Sequence, residues 1–208
     1  TTVTNEFVNN ISKYKNFIFF LNSYGTLYSI DSETMDLKWF INLNPSINLN
    51  QSNIFNGSEI INNGSKIVVS SNKNTFLIEA LTGSILKKYN FTSAVKPIIN
   101  NNIGFFITNN SLLVAINLEN NQILYSKNIN LQVAKFLNTK KKNLNFKEIM
   151  LLNNEVYIFL ENSFILNFKN NGELKEVKKL PSRIHSSPIF IDTKTLYLNQ
   201  KKKLIILN

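Results

Sequence analysis

The sequence predicts an all-β chain built as a β-propeller of four-stranded antiparallel blades, with about four complete blades and a partial fifth. Three observations carry this. The segment Ser29-Ile30-Asp31-Ser32-Glu33-Thr34-Met35-Asp36-Leu37-Lys38-Trp39 returns three more times in eroded form. Each copy follows a run that is apolar on consecutive residues, which alternation cannot explain, so both faces of that strand must be covered. The copies recur every 40 to 50 residues or so, the period of propeller blades.

The second copy is Leu77-Ile78-Glu79-Ala80-Leu81-Thr82-Gly83-Ser84-Ile85-Leu86-Lys87 and the third runs from Ala115 through Asn117 to Tyr125. The fourth, Phe168-Lys169-Asn170-Asn171-Gly172-Glu173-Leu174-Lys175, is one residue shorter in its turn. Each has an apolar end, a polar turn of Asp, Glu or Asn with Thr or Gly, and a second apolar run, which reads as strand, tight turn, strand. A sandwich would not place the same turn signature at the same point of every meander.

Taken in order, the repeats cover approximately 8–43, 59–91, 96–129, 147–180 and 187–208. The runs ahead of the motif are Phe17–Leu21, Ile67–Val69, Gly104–Ile107, Val156–Leu160 and Leu196–Leu198, each closed by a short Asn-, Ser- or Lys-bearing turn. Short apolar pieces open the later units: Ile60-Ile61, Ile98-Ile99, Ile149–Leu152 and Ile189–Ile191. Pro97 and Pro188 fall at strand starts, where a missing N–H is tolerated. The last unit lacks its outer strand, and such an open edge needs a cover; Thr2–Phe7 alternates suitably to supply one.

Phe, Ile, Tyr and Val outnumber Ala and Met, a bias that suits pleated surfaces, so almost no helix is expected. With 208 residues and 43% hydrophobic content the chain can bury a substantial core. There is no Cys, which excludes disulfides, thiolate metal sites and cysteine nucleophiles from these residues. No apolar stretch approaches a bilayer span, and Thr1–Thr4 has no leader character, so the chain reads as a mature or trimmed product. The net charge of +10 is spread over most repeats instead of forming a stripe, so it is assigned to an Asn- and Lys-rich composition and not to nucleic-acid binding. Sequons such as Asn56-Gly57-Ser58 follow from the same Asn excess.

The first motif matches, in order, the tryptophan-docking pattern Ala-X-Asp-X-X-Thr-Gly-X-X-X-Trp, with Ser29, Asp31, Thr34, Met35 and Trp39 at its defined positions. Ser29 departs from Ala and Met35 from Gly. The second copy keeps Thr82 and Gly83 but has Glu79 and Lys87, and the third keeps Ala115 with Asn117 and Tyr125. On these residues the chain resembles the pyrroloquinoline-quinone-type propeller family. Its ending, Ser186-Ser187-Pro188-Ile189-Phe190-Ile191-Asp192 through Leu196–Leu198 to Leu204–Asn208, resembles most the C-terminal part of the BamB family of outer-membrane assembly lipoproteins. That resemblance implies an eight-bladed ring of which 208 residues form a part, and a lipid anchor lying outside them.

The motif residues are expected to be structural. Trp39 should pack between blades, and Asp31, Glu79 and Asn117, on separate blades, should accept turn N–H groups instead of converging on a metal. His185, the single His, has Ser186, Ser187 and Asp192 nearby, but adjacency in sequence is not triad geometry. No phosphate-binding glycine loop exists. Lys140, Lys141 and Lys142 in the connection from Leu131 to Phe146, Arg183 and His185 in another connection, and Lys201, Lys202 and Lys203 in a second-to-third-strand turn should share one rim. Such a rim would suit an acidic partner.

The leading functional expectation is a non-catalytic scaffold without cofactor or metal. By resemblance, its partner would be the outer-membrane β-barrel assembly machinery on the periplasmic side, with membrane association only through the absent anchor. The alternative is a segment of a pyrroloquinoline-quinone-dependent dehydrogenase, which would need calcium ligands and a carboxylate base near the axis. With 13 Asp plus Glu the chain is poor in such groups. A propeller segment of a large eukaryotic complex is a third reading.

Overall fold

A computed structural model describes residues 10–44, 59–71, 73–191 and 194–207. The strand proposed at 2–7, the sequon at 56–58 and Asp192 lie outside the described residues. Five antiparallel sheets follow one another along the chain. Blade 1 is β1 (Ile11–Tyr14), β2 (Phe17–Leu21), β3 (Thr26–Asp31) and β4 (Leu37–Asn42). Blade 2 is β5 (Ile61–Asn62), β6 (Lys66–Ser70), β7 (Thr75–Glu79) and β8 (Ile85–Tyr89). Blade 3 is β9 (Ile98–Asn100), β10 (Ile103–Ile107), β11 (Leu112–Asn117) and β12 (Gln122–Asn128). Blade 4 is β13 (Phe146–Leu152), β14 (Glu155–Leu160), β15 (Phe164–Phe168) and β16 (Leu174–Lys179). Blade 5 is β17 (Ile189–Ile191), β18 (Lys194–Leu198) and β19 (Leu204–Leu207).

Every sheet is a simple meander, each strand paired with its chain neighbours. The first strands approach one another from blade to blade, β1 beside β5, β5 beside β9 and β9 beside β13, so they line the axis while the fourth strands lie outside. The doubly apolar runs do what their pattern requires. Along β6, Ile67 and Val69 face blade 1 while Val68 faces blade 3; along β11, Leu113 and Ala115 face blade 4 while Val114 and Ile116 face blade 2. Four apolar layers result, one between each pair of consecutive blades.

The third-to-fourth-strand hairpins share one irregularity. A bulge falls between Ser29 and Ile30, Leu77 and Ile78, Ala115 and Ile116, and Asn167 and Phe168, the same register position in each blade. The turn that follows places one residue in the left-handed region, in turn Met35, Gly83, Asn121 and Gly172, with φ of 60°, 75°, 62° and 79°. The Gly of the Thr-Gly pair is thus explained by backbone geometry. Asn is the next best residue there, and Asn101, Asn121, Asn138, Asn153 and Asn154 all have positive φ. Part of the Asn excess therefore has a structural reason beyond composition.

The expectation of almost no helix meets one exception among the described residues, α1 (Ile129–Phe136), at the start of the long connection between blades 3 and 4. Asn128 caps it, its Oδ1 accepting from Leu131 N at 2.9 Å. Ile129 and Val133, one turn apart, enter the layer between blades 3 and 4, which is tertiary burial overriding a modest local preference. Gln132 ties the helix to blade 4, its Nε2 donating to Gly172 O at 2.9 Å and its Oε1 accepting from Leu174 N at 2.8 Å.

Candidate functional site

The tryptophan motif forms a joint between blades. The Trp39 Nε1–H donates to Ala80 O of the next blade at 3.1 Å, and the indole lies on Gly83 so closely that a Cβ there would stand 2.7 Å from Trp39 Cδ2. Tyr125 repeats the contact two joints further on, between blades 3 and 4: a Cβ on Gly172 would be 2.5 Å from the Tyr125 ring. Between those joints lies a third of different chemistry. Lys87 is exposed at the Trp position; Tyr89 OH instead donates to Asn121 O at 3.0 Å, and Lys66 Nζ donates to Leu118 O and, at 3.2 Å, to Glu119 O. The receiving residue there is Asn121, not Gly, because no ring has to fit over it. Glu176, at the fourth Trp position, is exposed and borders a small cleft between blades 4 and 5 with Tyr157 and Phe190.

The acidic and amide residues of the motif are spent within their own turns. Asp31 Oδ1 accepts from Glu33 N at 3.0 Å and Thr34 N at 3.3 Å, and its Oδ2 pairs with Lys38 Nζ at 3.2 Å. Those backbone donors and the ammonium hold its carboxyl below the ordinary range. Asn117 Oδ1 accepts from Glu119 N at 2.8 Å. Glu79, one methylene longer than Asp, instead accepts from the Thr82 hydroxyl at 2.5 Å. Three buried oxygens of the motif copies lack partners: Ser29 Oγ and Asn167 Oδ1, both at the Ala position, and the Tyr125 hydroxyl, whose pKa burial raises to about 12.

The basic residues gather elsewhere. Backbone bonds join the second-to-third-strand turns of blades 1, 3, 4 and 5 to an inter-blade connection: Leu43 N to Gly25 O, Ile129 N to Ser111 O, Leu180 N to Ser163 O and Gln200 N to Arg183 O. These turns and connections therefore share one rim, which carries Lys140, Lys141, Lys142, Arg183, His185, Lys201, Lys202 and Lys203, all exposed. Asn199 Oδ1 organises the last turn by accepting from Lys201 N and Lys203 N at 2.9 and 3.0 Å. Ser186 Oγ accepts from Leu198 N at 3.0 Å and donates to Ser187 O at 3.2 Å, so it is held by backbone.

Sequence reasoning missed a charged group among residues leading into and lining the first strands. Glu59 pairs with Lys96, and Glu148 on β13 lies close enough to both to feel their charge. Burial raises the Glu148 carboxyl, partly offset by a hydrogen bond from Ser187 and by Lys147. Lys147 Nζ also donates to Ile184 O and His185 O at 3.2 and 2.9 Å. The one available signal was the charged pair Lys147-Glu148 inside the run Phe146–Leu152. Among the described residues no three His, Cys, Asp or Glu side chains group as metal ligands.

No protein-family model matches the chain, and no curated protein matches its sequence. Solved structures do match its shape. BamB from Moraxella catarrhalis superposes with a TM-score of 0.71 at 8% identity, over 94% of this chain and 56% of that one. The computationally designed Ika8 protein gives 0.66 at 12% identity, again over 94% and 56%. A europium-containing methanol dehydrogenase gives 0.61 at 9% identity, over 84% and 41%. The chain thus spans little more than half the length of the first two and less of the third. At such identities the likeness is one of fold, and the fold is a β-propeller.

Proposed function

We propose that the chain is a non-catalytic propeller scaffold that binds a protein partner through its basic rim, in the manner implied by its likeness to BamB, in outer-membrane protein assembly at the periplasmic face. The observation that carries this reading is a division of labour. Motif residues that look chemical in sequence, Trp39 and Asp31 among them, are consumed by turn and blade contacts, while the rim lysines stand exposed. Loops on a rigid ring are where propellers place recognition, and the partner's chemistry would be acidic, since a basic rim steers such encounters.

The quinoprotein reading draws on the methanol dehydrogenase likeness, which is also one of fold. Two experiments separate the readings. A photo-reactive amino acid at Lys141 or Lys202 should cross-link the membrane-embedded barrel-assembly protein in cells, and an absence of any such adduct contradicts the scaffold. Titration with pyrroloquinoline quinone and calcium should give no saturable absorbance change; a saturable one supports the dehydrogenase.

A further inference from the structure

The joint between blades 4 and 5 departs from the other three. In blade 1 the register sets Phe19, Ser29 and Trp39 side by side across β2, β3 and β4, and in blade 3 it sets Phe105, Ala115 and Tyr125 in the same row. The last member of each row is the ring that closes the joint onto the next blade. Blade 4 has Tyr157, Asn167 and Glu176 in that row, so an exposed carboxylate stands at the ring position. Blade 2, whose row ends in Lys87, closes its joint with the Lys66 and Tyr89 clasp. Blade 4 carries Glu155 and Lys178 at the two clasp positions, and Glu155 is held within its own blade by Lys175 and Asn167.

A cleft of about 170 Å³ lies at this joint, where the other joints place a ring. Its walls include the whole row Tyr157, Asn167 and Glu176 and, facing it, Phe190, Thr195 and Leu207 of blade 5. Thr195 and Leu207 pair across β18 and β19 as Ile67 and Ile78 pair in blade 2, and those two belong to the layer that receives Trp39. The chain's own joints thus show what such a slot accepts, an indole in one and a phenol ring in another. The size agrees, since cavities of roughly 150 Å³ admit a benzene ring. Tyr157 and Phe190, with centroids 5.4 Å apart and planes at 58°, offer a third ring both a face and an edge.

The polar residues on the wall narrow the choice. Trp39 has an N–H to satisfy and finds Ala80 O for it. In the cleft the acceptor is the Glu176 carboxylate, which forms no salt bridge among the described residues. Lys178, two residues further along the same strand, also lines the cleft, and its ammonium favours a carboxylate beside the ring.

We infer that this cleft is an anchor pocket for a tryptophan side chain presented by an acidic segment of a partner protein. The indole takes the place that Trp39 has in its own joint, its N–H donates to Glu176, and a neighbouring carboxylate meets Lys178. The inference rests on the proposed scaffold role and adds a second contact to it, on the outer strand β16 instead of the rim. The rim lysines supply steering, and the cleft supplies the desolvated aromatic anchor that interfaces are built around.

The test uses the full chain and a fluorescein-labelled peptide with one central tryptophan flanked by aspartates, read by anisotropy at low salt, with an alanine peptide as control. The tryptophan peptide should bind about tenfold more tightly, the effect of one anchor ring; charge acting through the rim alone would hold both peptides equally. Glu176→Trp fills the slot from within the chain. It should reduce the tryptophan peptide to the affinity of the alanine one and raise the thermal midpoint by about 2–4 °C. Lys178→Glu, a surface change that leaves folding intact, should weaken the tryptophan peptide about threefold at low salt, an effect that added salt removes. Equal binding of the two peptides overturns the pocket. So does a tryptophan preference that survives Glu176→Trp, or a Lys178→Glu protein that binds the tryptophan peptide as wild type does. Cross-linking from Lys141 or Lys202 reports on the rim and not on this cleft, so the pocket can fail while the scaffold stands.

Discussion

The joint between blades 1 and 2 and the joint between blades 2 and 3 solve one problem with different chemistry. In the first, a Trp39 ring lies flat on Gly83 and donates one hydrogen bond to Ala80 O. In the second, Lys66 and Tyr89 reach across to the carbonyls of Leu118, Glu119 and Asn121. Ring and glycine occur together, as do lysine and asparagine, and the joint between blades 3 and 4 returns to the first pair with Tyr125 and Gly172. Erosion of the repeat is therefore correlated across blade boundaries: a residue on one blade changes with its seat on the next.

That contrast can be broken from either side. Trp39→Ala should cost about 3 kcal/mol, the usual loss for a packed Trp, read as a fall in the urea midpoint. The double change Lys66→Met with Tyr89→Phe removes donors from carbonyls that water can partly reach, and it should cost about 1–2 kcal/mol in the same assay. A larger loss from the double change than from Trp39→Ala would reverse the ranking of the two joints.

Smaller effects sharpen the picture within the first joint. Ser29→Ala restores the motif's Ala and removes a buried hydroxyl without a partner, so stability should rise by about 1 kcal/mol. Asp31→Asn probes the turn. The folded carboxyl is held below its ordinary value of 3.8 by the Glu33 and Thr34 N–H groups and Lys38. Its stabilisation is therefore present above that value and lost as pH falls through the lower, folded one. Wild type should exceed Asp31→Asn in thermal midpoint at neutral pH, and the gap should close below pH 3.8.

Blade architecture was legible in the sequence because double burial leaves a mark that single burial does not. Runs such as Ile67–Val69 and Val156–Leu160 have no polar face to alternate with, and the bulged hairpin repeats its turn residues. The end blades show the limit of that signal. Phe20 and Phe40 on blade 1 are 39% and 65% exposed, and Ile189 and Ile206 on blade 5 are 59% and 55% exposed. An apolar run tells that a face suits a neighbour, not that the described residues provide one. The helix was illegible for the opposite reason: Ile129 and Val133 become a face only once blades 3 and 4 offer a groove for them. Of the candidate site, the expectation of a basic rim was readable from meander topology alone. The Lys66 and Tyr89 clasp was not, because it depends on contacts between segments far apart in the chain.

The central claim is that the motif is a fastener between consecutive blades, and a double-mutant cycle on Trp39 and Gly83 tests it most directly. Gly83→Ala puts a Cβ into the indole and a side chain at positive φ, and in the wild-type background it should cost about 2 kcal/mol. In the Trp39→Ala background only the backbone strain remains, so the cost should fall to about 1 kcal/mol, a coupling of that same size. Equal costs in the two backgrounds would show that Trp39 does not bear on Gly83, contradicting the account.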